Sequence, residues 1–209
     1  MAADLSTRTK SFGQDYALSP VDKFGTWLSA RSLRRHVGDW HGKRVADIGC
    51  GHDARITTPL LDEISHLTVA DVALSERLKG HPLVTAIEGG LPAVLASIAD
   101  YSVDITLCMS VLEHLWDDRA TLGELRRITA ADGIVVINVP TWLGKRALEL
   151  SAFRLGLSPR AEIDDHKRYY DPRDLWPLLV EAGFLPSLIS CRRHKFGLNT
   201  LAVCRVRPI

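Results

Sequence analysis

The chain has 209 residues, 46% hydrophobic and 24% charged, with a formal net charge of +1. That length supports one domain with a substantial core. The balanced charge excludes a global field that would draw nucleic acid or an anionic membrane, and no run reaches membrane-spanning length.

The polar start, MAADLSTRTKSFGQDY, lacks the apolar core of a signal peptide. Ser19-Pro20 then opens a predicted helix with Phe24, Trp27, Leu28 and Leu33 near helical spacing, and Gly38 and Gly42 bracket its exit. Arg44 to Ile48 reads as a buried strand, followed by a glycine turn and a helix over about 54–64. Leu67 to Ala70 is a second strand ending at Asp71, and Leu83 to Ile87 a third, stopped by Glu88-Gly89-Gly90. A short helix over 93–98 leads to a fourth strand, Val103 to Cys108. The next helix begins after Asp117-Asp118, carries Leu122, Leu125 and Ile128, and is expected to end at Asp132-Gly133. Ile134 to Val139 is a fifth strand, ended by Pro140. After a helix from Pro172 to Ala182, the runs 187–191 and 198–206 are separated by too few residues for a crossover helix, so they must form a hairpin.

Strands alternating with helices imply an α/β fold whose parallel sheet is covered on both faces, and the hairpin adds an antiparallel strand to it. The expected organisation is one domain over 1–209, with an N-terminal helical lid over 1–43 and an inserted acceptor-side lid over 141–170. Aromatics in these lids (Phe24, Trp27, Trp142, Phe153, Tyr169, Tyr170) are available to wall an acceptor pocket or to pack lid on body. The four cysteines, Cys50, Cys108, Cys191 and Cys204, show neither C-x-x-C nor metal-ligand spacing, so free thiols and a cytoplasmic location are expected. The basic runs Arg31 to Arg35 and Arg192 to Lys195 read as solvated faces, and no basic stripe with stacking aromatics indicates a nucleic-acid partner.

The stretch VADIGCGHD, Val45 to Asp53, concentrates the chemistry. A strand, a glycine turn and a helix bring backbone N–H groups beside a ligand, and glycine serves where that ligand touches the chain. A plain tight turn would use the same residues. Asp71 closes the next strand 20 residues after Gly51, where a carboxylate can accept both hydroxyls of a ribose. A dinucleotide fingerprint has a third glycine, but here Asp53 follows, with Asp47 just before the turn. That negative charge disfavours a diphosphate and suits a cofactor bearing an ammonium and a sulfonium.

At these residues the chain resembles the class I S-adenosylmethionine-dependent methyltransferases. The resemblance runs from about Val45 onward and rests on VADIGCG, Asp71, DITLCMSVLEHL over 104–115 and the closing hairpin. DHKRYYDP over 165–172, with EAGF over 181–184, resembles the small-molecule branch that includes quinone and sugar methyltransferases. The resemblance implies a Rossmann-like doubly wound sheet and S-adenosyl-L-methionine as cofactor. It implies that Gly49, Cys50 and Gly51 line the cofactor, that Asp47 sits at its methionyl end, and that Asp71, with Val72 beside it, holds the ribose. Glu88 or Gly89 would lie near the adenine, and Cys108, Met109 and Ser110 would flank the methionine portion. The chain departs from the family pattern at Asp53 and before Leu91-Pro92, where Gly89-Gly90 replace an acid. A NAD-type oxidoreductase, or a non-catalytic module that binds the same cofactor, are the alternatives.

The implied reaction is methyl transfer, at oxygen, to a small-molecule or glycan-type acceptor. An oxygen acceptor of high pKa needs a base, and His166 and His114 are the candidates. His166 is favoured because Asp164 and Asp165 precede it and an adjacent acid can orient an imidazole. Glu113 and His114 offer two adjacent metal ligands with no third in view, so no metal is expected.

Overall fold

Five parallel strands and a terminal hairpin form one sheet in the order β3-β2-β1-β4-β5-β7-β6. The structure, a computed structural model, describes residues 9–149 and 165–207. Phe153, Asp164 and half of the segment expected to form the second lid, residues 150–164, lie outside the described residues. The strands are β1 (Arg44–Ile48), β2 (His66–Asp71), β3 (Val84–Glu88), β4 (Val103–Met109), β5 (Thr129–Pro140), β6 (Ile189–His194) and β7 (Asn199–Arg205). β1, β2, β3, β4 and β5 run parallel; β7 pairs antiparallel with β5 on one side and β6 on the other, as the short connection between the last two runs requires.

The helices are α1 (Pro20–Val37), α2 (Glu76–Lys79), α3 (Asp118–Ile128), α4 (Trp142–Glu149) and α5 (Pro172–Glu181). α1 starts where Ser19 caps it: the Ser19 hydroxyl accepts from the Asp22 N–H while the Asp22 carboxylate accepts from the Ser19 N–H. Two apolar clusters lie on opposite faces of the sheet. One packs Leu122, Leu125 and Ile128 of α3 and Leu175 and Leu179 of α5 against Ile48, Val135 and Ile137. The other packs Leu33 and Val37 of α1 and Leu78 of α2 against Val45, Leu67, Leu107 and Val136. Burial on both faces explains why these strands read as continuous apolar runs.

Three expectations are corrected. The helix over 54–64 is absent; only a 3-10 turn, Thr58–Leu60, forms there. Ala54 has φ 45, outside helical values. Pro59 lacks an N–H, and the Thr58 hydroxyl bonds back to the carbonyls of Asp53 and Ala54. α3 stops at Ile128 rather than Asp132-Gly133, because β5 begins at Thr129 and these two residues lie within it. A Cβ on Gly133 would stand 2.9 Å from the Asp104 carbonyl, so β5 approaches β4 there more closely than a side chain permits. In α1, Leu33 is buried but Phe24 and Trp27 stack on each other at 53% and 55% exposure, so the helix docks through its C-terminal half.

From β3 at one edge the chain returns to place β4 beside β1. This creates a topological switch point between β1 and β4, and in such sheets the crevice beyond the strands' carboxyl ends there receives the ligand.

Candidate active site

The glycine turn lies at that crevice. Gly49 and Gly51 have φ 70 and 73, which suits glycine. A Cβ on Gly49 would stand 2.3 Å from Val111 Cγ2, and one on Gly51 3.1 Å from the Phe12 carbonyl oxygen. The turn is therefore packed from two sides, by the loop after β4 and by the N-terminal segment. Gly51 N–H donates to Asp71 Oδ2 at 2.7 Å, and Val72 N–H donates to Asp71 Oδ1 at 2.7 Å. The Ser11 hydroxyl has one proton to share between Asp71 Oδ1 and the Ala73 carbonyl, each 2.5 Å away. The Phe12 carbonyl accepts from His52 N–H. Asp71 is thus fixed to the turn, and residues 11–12 lie against it.

Asp47, 1% exposed, accepts from the Thr57 hydroxyl at 2.7 Å. Burial pushes its carboxyl up to about 7; the Thr57 hydrogen bond opposes this and the Asp71 charge adds to it. Burial likewise raises the Cys50 thiol next in the turn. Glu88, at the end of β3, accepts from Leu74 N–H and pairs with Lys79 Nζ, and both hold its carboxyl below the usual range. Gly89 follows at φ 150, and a Cβ there would meet Val94 Cγ1 at 2.3 Å. After β4, Met109 is buried and Ser110 is exposed at φ 60, its N–H donating to the Asn138 carbonyl on β5. Asp53 faces Arg55, which neutralises the acid standing in place of a third glycine.

A second group of residues gathers beyond β4. A 3-10 turn, Leu112–His114, carries Glu113, 1% exposed, and His114. The segment entering α5 is tied to this turn: Lys167 N–H donates to the Glu113 carbonyl at 2.7 Å, and Tyr170 N–H to that of Pro140. Asp118 anchors the same segment by accepting from the Tyr170 hydroxyl and pairing with Arg168. These bonds bring His166 to His114, ring centroids 4.7 Å apart and edge to face. The acid expected to orient His166 pairs with the other imidazole: Asp165 Oδ2 lies 2.9 Å from His114 Nδ1. The His166 ring instead meets the Tyr169 hydroxyl at 3.2 Å. Burial alone would raise the Asp165 carboxyl, but His114 and Lys167 outweigh it and hold it well below the usual range. At the β6–β7 turn, Lys195 comes from a run read as solvated; burial pulls its amine down to about 8, with the Glu113 charge acting against the shift.

The match to a methyltransferase domain family covers residues 46–137, from β1 through most of β5. The chain is 23% identical over 146 residues to a Mycobacterium tuberculosis protein described as a probable S-adenosylmethionine-dependent methyltransferase; the alignment covers 68% of this chain and 48% of that protein. It is 25% identical over 170 residues to the ubiquinone biosynthesis O-methyltransferase of Aeromonas salmonicida, covering 76% of this chain and 68% of the relative. A methyltransferase structure from Archaeoglobus fulgidus superposes with a TM-score of 0.65 at 16% identity, covering 88% of this chain and 96% of that one. Residues 46–137 match the methyltransferase domain, and the chain is similar to S-adenosylmethionine-dependent methyltransferases. It spans about half the length of the mycobacterial relatives it matches.

The family's cosubstrate is S-adenosyl-L-methionine, and the residues present fit it. Val111 and Phe12 take up the space a side chain would need at Gly49 and Gly51, and Asp47 and Asp71 stand beside this turn as the acids available to an ammonium–sulfonium ligand. Reasoning from sequence missed Ser11 and Phe12, which no spacing rule ties to a loop 40 residues away. Glu113 was noticed only as half of a metal pair. Its signal was an acid inside the apolar run VLEHL, a placement a protein tolerates only where the charge has partners. Among the described residues, no helix is long and apolar enough to cross a membrane.

Proposed function

We propose that this chain transfers the methyl group of S-adenosyl-L-methionine to an oxygen of a small-molecule or glycan-type acceptor in the cytoplasm, with α1 and the segment after β5 as lids. Asp47 receives the cofactor's ammonium, Gly49, Cys50 and Gly51 line its backbone-facing side, and Asp71 and Val72 hold the ribose. Glu88 and Gly89 border the adenine, while Met109 and Ser110 border the methionine chain and direct the sulfonium methyl toward the crevice beyond β4. The observation that carries the reading is the His114–His166 pair at 4.7 Å, backed by Asp165 and standing at the end of the strand beside the cradle. The description of the Aeromonas relative as an O-methyltransferase supports oxygen as the target.

In methyl transfer the enzyme gains by aligning the acceptor with the S–CH3 bond and by excluding water. The acceptor hydroxyl gives up its proton at the imidazole pair as its oxygen bonds to carbon, and the C–S electron pair leaves with sulfur as a neutral thioether. Because Asp165 fixes His114 directly, His114→Ala should lower turnover more than His166→Ala. The expected loss is on the order of 10²–10⁴-fold, with S-adenosylhomocysteine affinity nearly unchanged. Single-turnover rates with a labelled methyl donor and a hydroxylated-metabolite panel test this. Full rates in both variants would sink the assignment.

A further inference from the structure

The fold completes a ligand set that the sequence shows only in part. Glu113, His114 and His166 each offer one ligand atom, and these atoms lie within 4.8 Å of one another. Two imidazoles and a carboxylate form a donor set that divalent first-row ions of the zinc class bind in tetrahedral geometry with one position left open. Around such an ion, ligand atoms at about 2.0–2.2 Å stand roughly 3.4 Å from one another. The three side chains therefore need only an inward rotation to close on it.

The surroundings match what a metal-binding imidazole requires. Asp165 Oδ2 engages His114 Nδ1, which fixes the tautomer and assigns Nε2 to the ion. The Tyr169 hydroxyl orients the ring of His166 in the same way. Glu113 and His166 are brought together by main-chain bonds, Lys167 N–H and Arg168 N–H to the Glu113 carbonyl, so the ligand positions do not depend on flexible side chains alone. Positive charges nearby include Lys167, which pairs with Asp165 at 2.9 Å, Lys195, Arg168, which pairs with Asp118, and Lys145 over the Tyr169 ring; the Glu113, Asp165 and Asp118 carboxylates offset them.

We propose that Glu113, His114 and His166 bind a divalent ion of the zinc class, whose open position takes the acceptor's reacting oxygen. Binding of the ion stands on the ligand set alone; its role in the reaction rests on the reading of the chain as a methyltransferase acting at oxygen. A coordinated hydroxyl loses its proton to solvent far more readily than a free one. Its oxygen then forms the O–CH3 bond as the C–S bond breaks, and the electron pair leaves with sulfur. With the ion bound, the imidazoles are its ligands; without it, His114 backed by Asp165 is left to take the proton.

Chelator-treated full-length protein titrated with Co²⁺ alone tests this by visible absorption, with Zn²⁺ displacement followed by calorimetry. One equivalent should give the d–d bands of a four-coordinate site. Glu113→Gln and His166→Ala should each weaken binding at least tenfold, and Asp165→Asn, outside the ligand set, by about 10–100-fold. Absent bands, or wild-type Co²⁺ affinity in folded Glu113→Gln and His166→Ala, would overturn the proposal. Should the buried Glu113→Gln variant fail to fold, the partly exposed His166→Ala decides alone. The two readings fail separately. Co²⁺ bands without S-adenosylhomocysteine binding would remove the methyltransferase reading and leave the metal, whereas the reverse would remove the metal and leave the imidazoles as base.

Discussion

Asp47 is an acid almost without access to water, and its position couples the cradle to pH. Its folded-state value of about 7 lies above the ordinary 3.8, so the fold favours the neutral carboxyl. The stability this contributes is fully present below the unfolded value and is lost as pH rises through about 7. At about 1.4 kcal/mol per pH unit, the loss is at most about 4 kcal/mol. The thiols of Cys50 and Cys108 are both pushed up by burial, and the remaining neighbouring charge is Asp71. Denaturant titrations between pH 5 and 8 should therefore show Asp47→Asn losing less stability with rising pH than the parent chain. The proposed contact with the cofactor's ammonium requires the charged form, so S-adenosylhomocysteine affinity should rise with pH by up to about tenfold per unit below 7, and that slope should vanish in Asp47→Asn. Equal slopes in parent and variant would show that another group controls binding.

At the scale of elements, the glycine turn leads into a bent, hydroxyl-bonded segment instead of an α-helix. A helix N-terminus would aim partial positive charge at the ligand and favour a phosphate. Its absence, with Asp47 and Asp71 at the ends of adjacent strands, favours a cation. The turn's tolerance is set by contact with the loop after β4. Gly49→Ala should cost about 1–2 kcal/mol from the backbone conformation alone, with more from the overlap with Val111. It should also weaken cofactor binding. Val111→Ala placed on top should restore part of the melting temperature, which separates packing from backbone strain. A Gly49→Ala protein as stable as its parent would show that the turn is not tight.

The same elements show what a sequence can carry. Strands β1, β2, β4 and β5 were legible because they are largely buried on both faces and rich in apolar residues; the hairpin was legible because its connection is too short for anything else. The 54–64 segment misled because its apolar spacing is helical while Ala54, Thr58 and Pro59 act locally against a helix. The positive-φ turn at Gly49 and Gly51, and Asp71 at the end of the next strand, were readable from local spacing. Which imidazole Asp165 serves was not, since His114 lies 51 residues away and only the main-chain tie at Glu113 decides it. The Ser11 contact with Asp71, across 60 residues, was hidden for the same reason.

For the whole molecule, a ligand that binds only the folded state stabilises all of it. S-adenosylhomocysteine at a hundredfold excess over its dissociation constant should add about 2.7 kcal/mol. NAD should add nothing, because its diphosphate would meet Asp47 and Asp71 without a helix terminus to offset them. Scanning calorimetry with each compound checks this; a rise with NAD alone would contradict the charge argument.

The placement of β7 between β5 and β6 has a bearing on how the chain is made. β5 carries Val135, Val136, Ile137 and Val139, all inaccessible to water, and along its outer side every residue from Ile134 to Pro140 finds its partner in Asn199–Arg205. During synthesis that side stays unpaired until β7 emerges: an uncharged edge from Ile134 to Pro140, of the kind most able to recruit a strand from another nascent chain. The core strands can assemble early, yet this side of β5 stays adhesive until β7 clears the ribosome. A ribosome stalled shortly before Asn199 would release a product with most of its core and an open seam, which quality control would meet as an aggregation-prone species rather than as an unfolded one.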